Sequence, residues 1–155
     1  NSLMKEQKLI LDQLDQKIIE YKNLEHVEIP PNGWIFSIRK ALNMSLRQLG
    51  KRMSITSQSV WEIEDREKSG SVTIKLLRQV GQALNMRLVY GFIPNQLSLK
   101  KMIEERAMIL AREIVERTSV SMELEDQKAS KNRLEKAIDE KAKEIKTKIP
   151  RILWD

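Results

Sequence analysis

The sequence predicts an all-α protein with one short β-strand and long helices at both ends. Three observations lead to this. Apolar residues recur at steps of three and four in both flanks, the middle carries a series of helix-start signals, and 32% of residues are charged while only 5% are aromatic. That balance suits helices with much exposed surface better than a large β core.

The first helix is expected over Leu3 to Leu24, where Leu11, Leu14, Ile18 and Tyr21 share one face. It stops at Glu28-Ile29-Pro30-Pro31-Asn32-Gly33, because Pro-Pro disfavours helix before it and Asn-Gly marks a turn. Short helices follow over 34–85. Trp34 to Leu42 is the first. Ser45 caps the second, with Gln48 three residues on completing a capping box. Thr56 caps the third, which runs to about Asp65, and Thr73 caps the fourth, which runs to about Leu84. Residues 86–93 are dense in β-branched and aromatic side chains, end at Pro94, and read as a single strand. Further on, Leu99, Ile103, Ala107, Leu110 and Ile114 form one stripe. A charged helix starts near Gln127, with Leu134, Ile138, Ala142, Ile145 and Ile149 on one side. The polar stretch Ser119 to Asp126 separates these two helices, and Pro150 stops the second before an apolar tail. The expected organisation is an N-terminal helical arm over 1–28, a central domain over 34–93, and a C-terminal helical region over 97–155.

Composition excludes several classes of function. The chain has no cysteine, so it has no disulfides or thiolate metal sites, and His26 is its single histidine, expected on the surface. No metal site, histidine-based triad or cofactor is expected. Ser121 to Gln127 contains three carboxylates but shows no pocket or partner residue for paired-carboxylate catalysis, and reads as a packing or partner-contact segment. An enzyme is therefore not expected. No run of 18 apolar residues occurs, and the N-terminal stretch lacks the apolar core of a signal peptide, so a cytoplasmic location is expected. Charge is uneven: residues 34–94 hold ten Lys/Arg against four Asp/Glu, while the rest holds 18 of each sign, so the whole +6 sits in the middle. A local basic excess is what a phosphate-binding surface needs.

The informative stretch is Ser45 to Glu64, two helices joined by a short turn. Leu46, Leu49, Val60 and Ile63 face inward, and Gly50 is small where the helices approach closely. Ser57, Gln58, Trp61 and Glu62 then point outward from the second helix, the arrangement that enters a major groove. Gln58 can bond adenine through both its groups, and Glu62 can accept from a cytosine amine, or else repel phosphate or pair with Arg66. Trp61 either contacts a thymine methyl or sugar edge, or packs on the neighbouring helix. Thr56, Ser57 and the free amides at the helix start can hold phosphates. Arg47, Gln48, Lys51, Arg52, Lys68 and Lys75 are the other candidate phosphate contacts. Arg39 is expected to be an internal partner of Glu64.

Here the sequence resembles the phage-repressor (Xre-type) helix-turn-helix family. Ile38-Arg39 to Leu84 matches that family's five-helix pattern, including Leu49, Val60, Ile63, Glu64 and Ala83-Leu84. Two residues depart from it: Gly50 stands where the family usually has Ala, and Ser54 where it usually has Gly in the turn. A narrower resemblance, over roughly 31–127, is to the family called mobile mystery protein A. It rests on Pro31-Asn32-Gly33-Trp34-Ile35, Ile63-Glu64-Asp65-Arg66-Glu67, Leu88-Val89-Tyr90-Gly91-Phe92-Ile93-Pro94 and Ser121 to Gln127. Members are bacterial, sit in mobile genetic contexts, and lie beside a partner carrying a Fic domain. The resemblance implies a DNA-binding regulator of double-stranded DNA, an autoregulating repressor or the antitoxin-like half of a two-gene module. The alternative it implies is an interaction module that restrains a Fic-domain partner through the helical arms.

A lone strand is an unpaired edge, so a second copy is expected to pair with it. Leu88, Val89, Tyr90 and Phe92 are the expected interface of such a homodimer.

Overall fold

The computed structural model describes residues 2–118 and 127–155, and all regular structure among them is helical. The helices are α1 (Ser2–Tyr21), α2 (Trp34–Ala41), α3 (Leu46–Met53), α4 (Ser57–Ser69), α5 (Ile74–Ala83), α6 (Leu99–Thr118) and α7 (Gln127–Lys148), with short 3₁₀ turns at Lys22–Leu24 and Arg151–Trp154. No helix among the described residues is long and apolar enough to cross a membrane. The stretch 119–126, with most of the carboxylate-rich segment, lies outside the described residues.

The chain divides into two compact units, Leu24–Gly91 and a unit made of Asn1–Asn23 with Phe92–Asp155. The N-terminal arm and the C-terminal region, separate along the sequence, thus share one unit.

The central unit is built from short helices, which are marginal without caps or packing. Three caps form as the local spacing predicts. The Ser45 hydroxyl accepts from Gln48 N at 3.0 Å while Ser45 N donates to Gln48 Oε1 at 2.8 Å, a complete capping box on α3. Thr56 and Thr73 accept from Ser59 N and Leu76 N at the starts of α4 and α5. The cap of α2 comes from far away. Gly33, at its N-cap position, has no side chain to offer, so the Glu67 carboxylate of α4 accepts from Trp34 N and Ile35 N, both at 2.8 Å. A negative charge there also complements the helix dipole. Gly33 has φ +88°, which favours glycine, and a Cβ there would lie 2.8 Å from Glu67 Oε1, so the capping carboxylate would have to shift.

The core beneath joins Ile35, Leu49, Val60, Ile63, Val80 and Leu84. Beside it lies the one buried ion pair among the described residues: Arg39 Nε and Nη2 donate to Glu64 Oε2 and Oε1 at 2.7 and 3.0 Å, and Arg39 Nη1 donates to Met44 O. The bidentate bond to Glu64, with its charge, holds the guanidinium above its ordinary pKa despite burial.

Two expectations for this unit need correction. The strand over 86–93 is absent, and the segment is irregular among the described residues. Its composition favours a strand, but a strand exists only with a ladder partner, and none stands among the described residues. Met86 N instead donates to Gly81 O at 2.7 Å, turning the chain tightly off α5. Where the resemblance implies five helices, four α-helices stand between Trp34 and Ala83.

The flanking unit follows its apolar stripes. Ile103, Ala107, Leu110 and Ala111 of α6 meet Ile138, Ala142 and Ile145 of α7, with Leu153 closing the cluster and Leu11 of α1 packed against it. Arg106 fixes the tail by donating to Leu153 O at 2.8 Å and Asp155 O at 3.0 Å. Asp15 of α1 caps α6 by accepting from Leu99 N at 2.8 Å and Lys100 N at 3.2 Å.

Candidate nucleic-acid interface

Helices α3 and α4 form a pair whose turn is set by two small residues. Ser54 ends α3 in the left-handed region, φ 58° and ψ 40°, so that Thr56 can start α4 at once. Gly50 sits where the turn folds back: a Cβ there would lie 2.7 Å from the Ile55 carbonyl oxygen. Its backbone oxygen accepts from Ile55 N at 2.9 Å. Gly50 therefore matches the close approach that its spacing predicts, and it lets the first turn of α4 project from the unit.

On α4 the buried residues are Val60, Ile63 and Glu64, which fix the inward face. A helix turns about 100° per residue, so Gln58, Glu62, Asp65 and Ser69 lie opposite, with Trp61 and Lys68 along one border. Ser57, Gln58, Glu62, Asp65 and Lys68 are all exposed, and Trp61 is 51% exposed. Trp61 is not part of the core of the unit.

No family model matches this chain, and no curated protein or solved structure matches it significantly. The arrangement of the side chains must therefore carry the functional argument.

The structure brings Ser57, Gln58, Trp61 and Glu62 together on the first two turns of α4. The Thr56 hydroxyl is already engaged, accepting from Ser59 N and donating to Ser59 Oγ at 2.9 Å. A phosphate at this end would instead meet the amides of Ser57 and Gln58, among the first N–H groups of the helix that lack a carbonyl partner within it. Gln48 is half-used: its Oε1 serves the capping box, which leaves the amide N–H groups facing outward as donors. Arg47 and Lys51 are exposed on α3. Arg52 is different, because its Nη1 donates to the Ala83 carbonyl at the end of α5 at 3.2 Å. Lys68 lies about 15 Å along the axis from Gln58, at the far end of α4, so it serves a separate point of contact. Lys75 is exposed on the first turn of α5.

The expected interface residues are divided between the two units. Val89 and Tyr90 of the central unit are 57% and 55% exposed and Leu88 is half-buried, while Phe92 belongs to the flanking unit and is 86% exposed. Tyr90 is held within its own unit: its hydroxyl accepts from Arg78 Nη2 at 3.3 Å, and the Arg78 guanidinium lies 5.7 Å from its ring centre.

Asp65 was not among the residues expected on this face. It joins the strip because α4 continues to Ser69 rather than stopping near Asp65. The signal was Gly70, which ends the helix in the left-handed region at φ 83°. Beside the strip, Arg52, Ser59, Glu62, Arg66, Gln79 and Gln82 border an open groove of about 640 Å³. The glutamine pair three residues apart on α5 was its sequence sign. Among the described residues, no cluster of His, Asp and Glu is placed to hold a metal ion.

Proposed function

We propose that this chain is a sequence-specific DNA-binding regulator of the helix-turn-helix type, with α4 as its reading helix. One observation carries the reading. The α3–α4 pair is capped and closely packed, yet the outward strip of α4 carries exposed Gln58, Trp61 and Glu62 with no side-chain hydrogen bond or ion pair among the described residues, and Arg47 and Lys51 of α3 are exposed as well. Gln58 can pair with an adenine edge and Glu62 can accept from a cytosine amine. The basic excess confined to 34–94 supports phosphate contact around that strip. Membership of the phage-repressor helix-turn-helix type and of the mobile mystery protein A family is part of this proposal, supported by the Arg39–Glu64 pair and by Ser45, Thr56 and Thr73 in their capping roles.

The regulator acts as a homodimer in the cytoplasm on double-stranded DNA, in our proposal as an autoregulating repressor. The exposed apolar side chain of Val89 supports a seam between copies. Selection from randomised duplexes at stated salt tests the reading. Enrichment of a palindrome with half-sites about 34 Å apart is expected; no enrichment over random duplex contradicts it.

A second reading, restraint of a Fic-domain partner, is favoured by the flanking unit. That unit has its own core and takes up more than half of the chain, beyond what reading DNA requires. Copurification of the two proteins from a common host tests it, and its failure leaves the DNA reading intact.

A further inference from the structure

We infer that Trp61 reads the C5-methyl group of a pyrimidine in the major groove. This rests on the DNA-binding reading of α4 and adds to it the chemical feature the helix selects. A tryptophan that is 51% exposed leaves a large apolar face in water, whereas the other apolar residues of α4, Val60 and Ile63, are buried. Among the described residues the indole has no hydrogen bond and no cation over its ring, so nothing in the unit accounts for it.

The neighbours of Trp61 say what it faces. Glu62 follows it, and Asp65 lies one turn on; both are exposed. Two carboxylates keep this part of the strip off the phosphate backbone, because each would meet a like charge there. Base edges that present amino donors suit them. Trp61 is thereby directed at base edges rather than at sugar or phosphate. Among those edges, the apolar group in the major groove is the methyl on C5 of thymine, and 5-methylcytosine offers the same group. An indole can donate one hydrogen bond but accept none, and its face is apolar, so a methyl is the feature it matches.

The test uses the full chain and its selected duplex at one salt concentration. Each thymine is replaced in turn by uracil, which removes only the methyl. In a parallel series each cytosine is replaced by 5-methylcytosine. Covering one methyl by an aromatic face corresponds to roughly a 3- to 10-fold change in affinity. At one half-site position, loss of the thymine methyl should weaken binding by that factor, or gain of a cytosine methyl should strengthen it by that factor. The first result identifies thymine as the source, the second 5-methylcytosine. In Trp61→Ala the same modification should have no effect, and Trp61→Phe should keep part of it, which separates the loss from a folding defect. The inference is overturned if wild type responds to neither modification, or if Trp61→Ala responds as wild type does. A selected site that shows no methyl effect removes Trp61 alone from the account, and Trp61 is then a surface for a protein partner. If no duplex is selected, the DNA reading falls and this inference with it.

Discussion

The two units hold themselves together by different means, and the difference points to the functional face. The flanking unit uses long helices, α6 and α7, closed by Ile, Leu and Ala along one seam, with exposed ion pairs such as Lys146–Glu104 at 3.1 Å outside it. The central unit uses helices of 8 to 13 residues, and each needs a cap. Ser45, Gln48, Thr56, Thr73 and Glu67 all serve helix starts. Several polar residues in this unit are thus occupied with structure. On the outer side of α4, Gln58, Glu62 and Asp65 have no such task, and with Trp61 they make up the candidate reading face. The flanking unit's surface instead mixes charged side chains with exposed apolar ones such as Leu9, Ile19 and Ile109.

The comparison breaks most visibly at the buried ion pair. Arg39→Ala leaves Glu64 buried and unpaired, which costs about 3–5 kcal/mol. Urea unfolding should lose that much in the transition of the central unit, with the flanking unit's transition unchanged. Equal losses in both units would show that they are not independent.

A smaller loss is expected at the long-range cap. Glu67→Ala exposes the amides of Trp34 and Ile35 and should destabilise the central unit by about 1–2 kcal/mol. The same urea curves check it, and an unchanged midpoint would mean that α2 does not depend on α4 for its start.

Smaller still, and of opposite sign, is the effect expected at the turn. Ser54 occupies the left-handed region, which glycine adopts at little cost. Ser54→Gly should stabilise by roughly 0.5 kcal/mol, the relieved strain being partly offset by greater freedom in the unfolded chain. Loss of stability would show that the Ser54 side chain contributes to the turn.

The weakest effect belongs to the flanking unit. The hydrogen bond from Lys146, together with the charge of Lys146, Lys101 and Lys100, holds the Glu104 carboxyl below its ordinary pKa. A lowered folded-state pKa means the contribution is present above the ordinary carboxylate range and disappears as pH falls through the lowered value. The pair is solvent-exposed and its effect is small. Glu104→Gln should flatten the acid limb of the unit's stability profile slightly, and a limb of unchanged steepness would remove the pair from the account.

What could be read from the sequence follows how far apart the partners lie. Caps within one helical turn, such as Ser45 with Gln48, are written in adjacent residues and were legible. So were the stripes of α6 and α7. Glu67 with Trp34, Asp15 with Leu99, and Arg106 with Leu153 join positions 33, 84 and 47 apart, and no local pattern announces them. The segment after α5 misled for a related reason. Its β-branched and aromatic residues express a preference that only a second strand can satisfy, and composition does not say whether one exists. On the candidate face, Gln58 and Glu62 were legible because Val60 and Ile63 define the inward side. Asp65 was missed because it depends on where α4 ends.

The most direct test of the central claim is the affinity of Gln58→Ala for its selected duplex and for random duplex, measured at the same salt. If α4 reads bases, the variant should lose roughly 1–3 kcal/mol on the selected site and almost nothing on random DNA. Equal losses on both would contradict the claim, because Gln58 would then hold the backbone and the sequence would be read elsewhere.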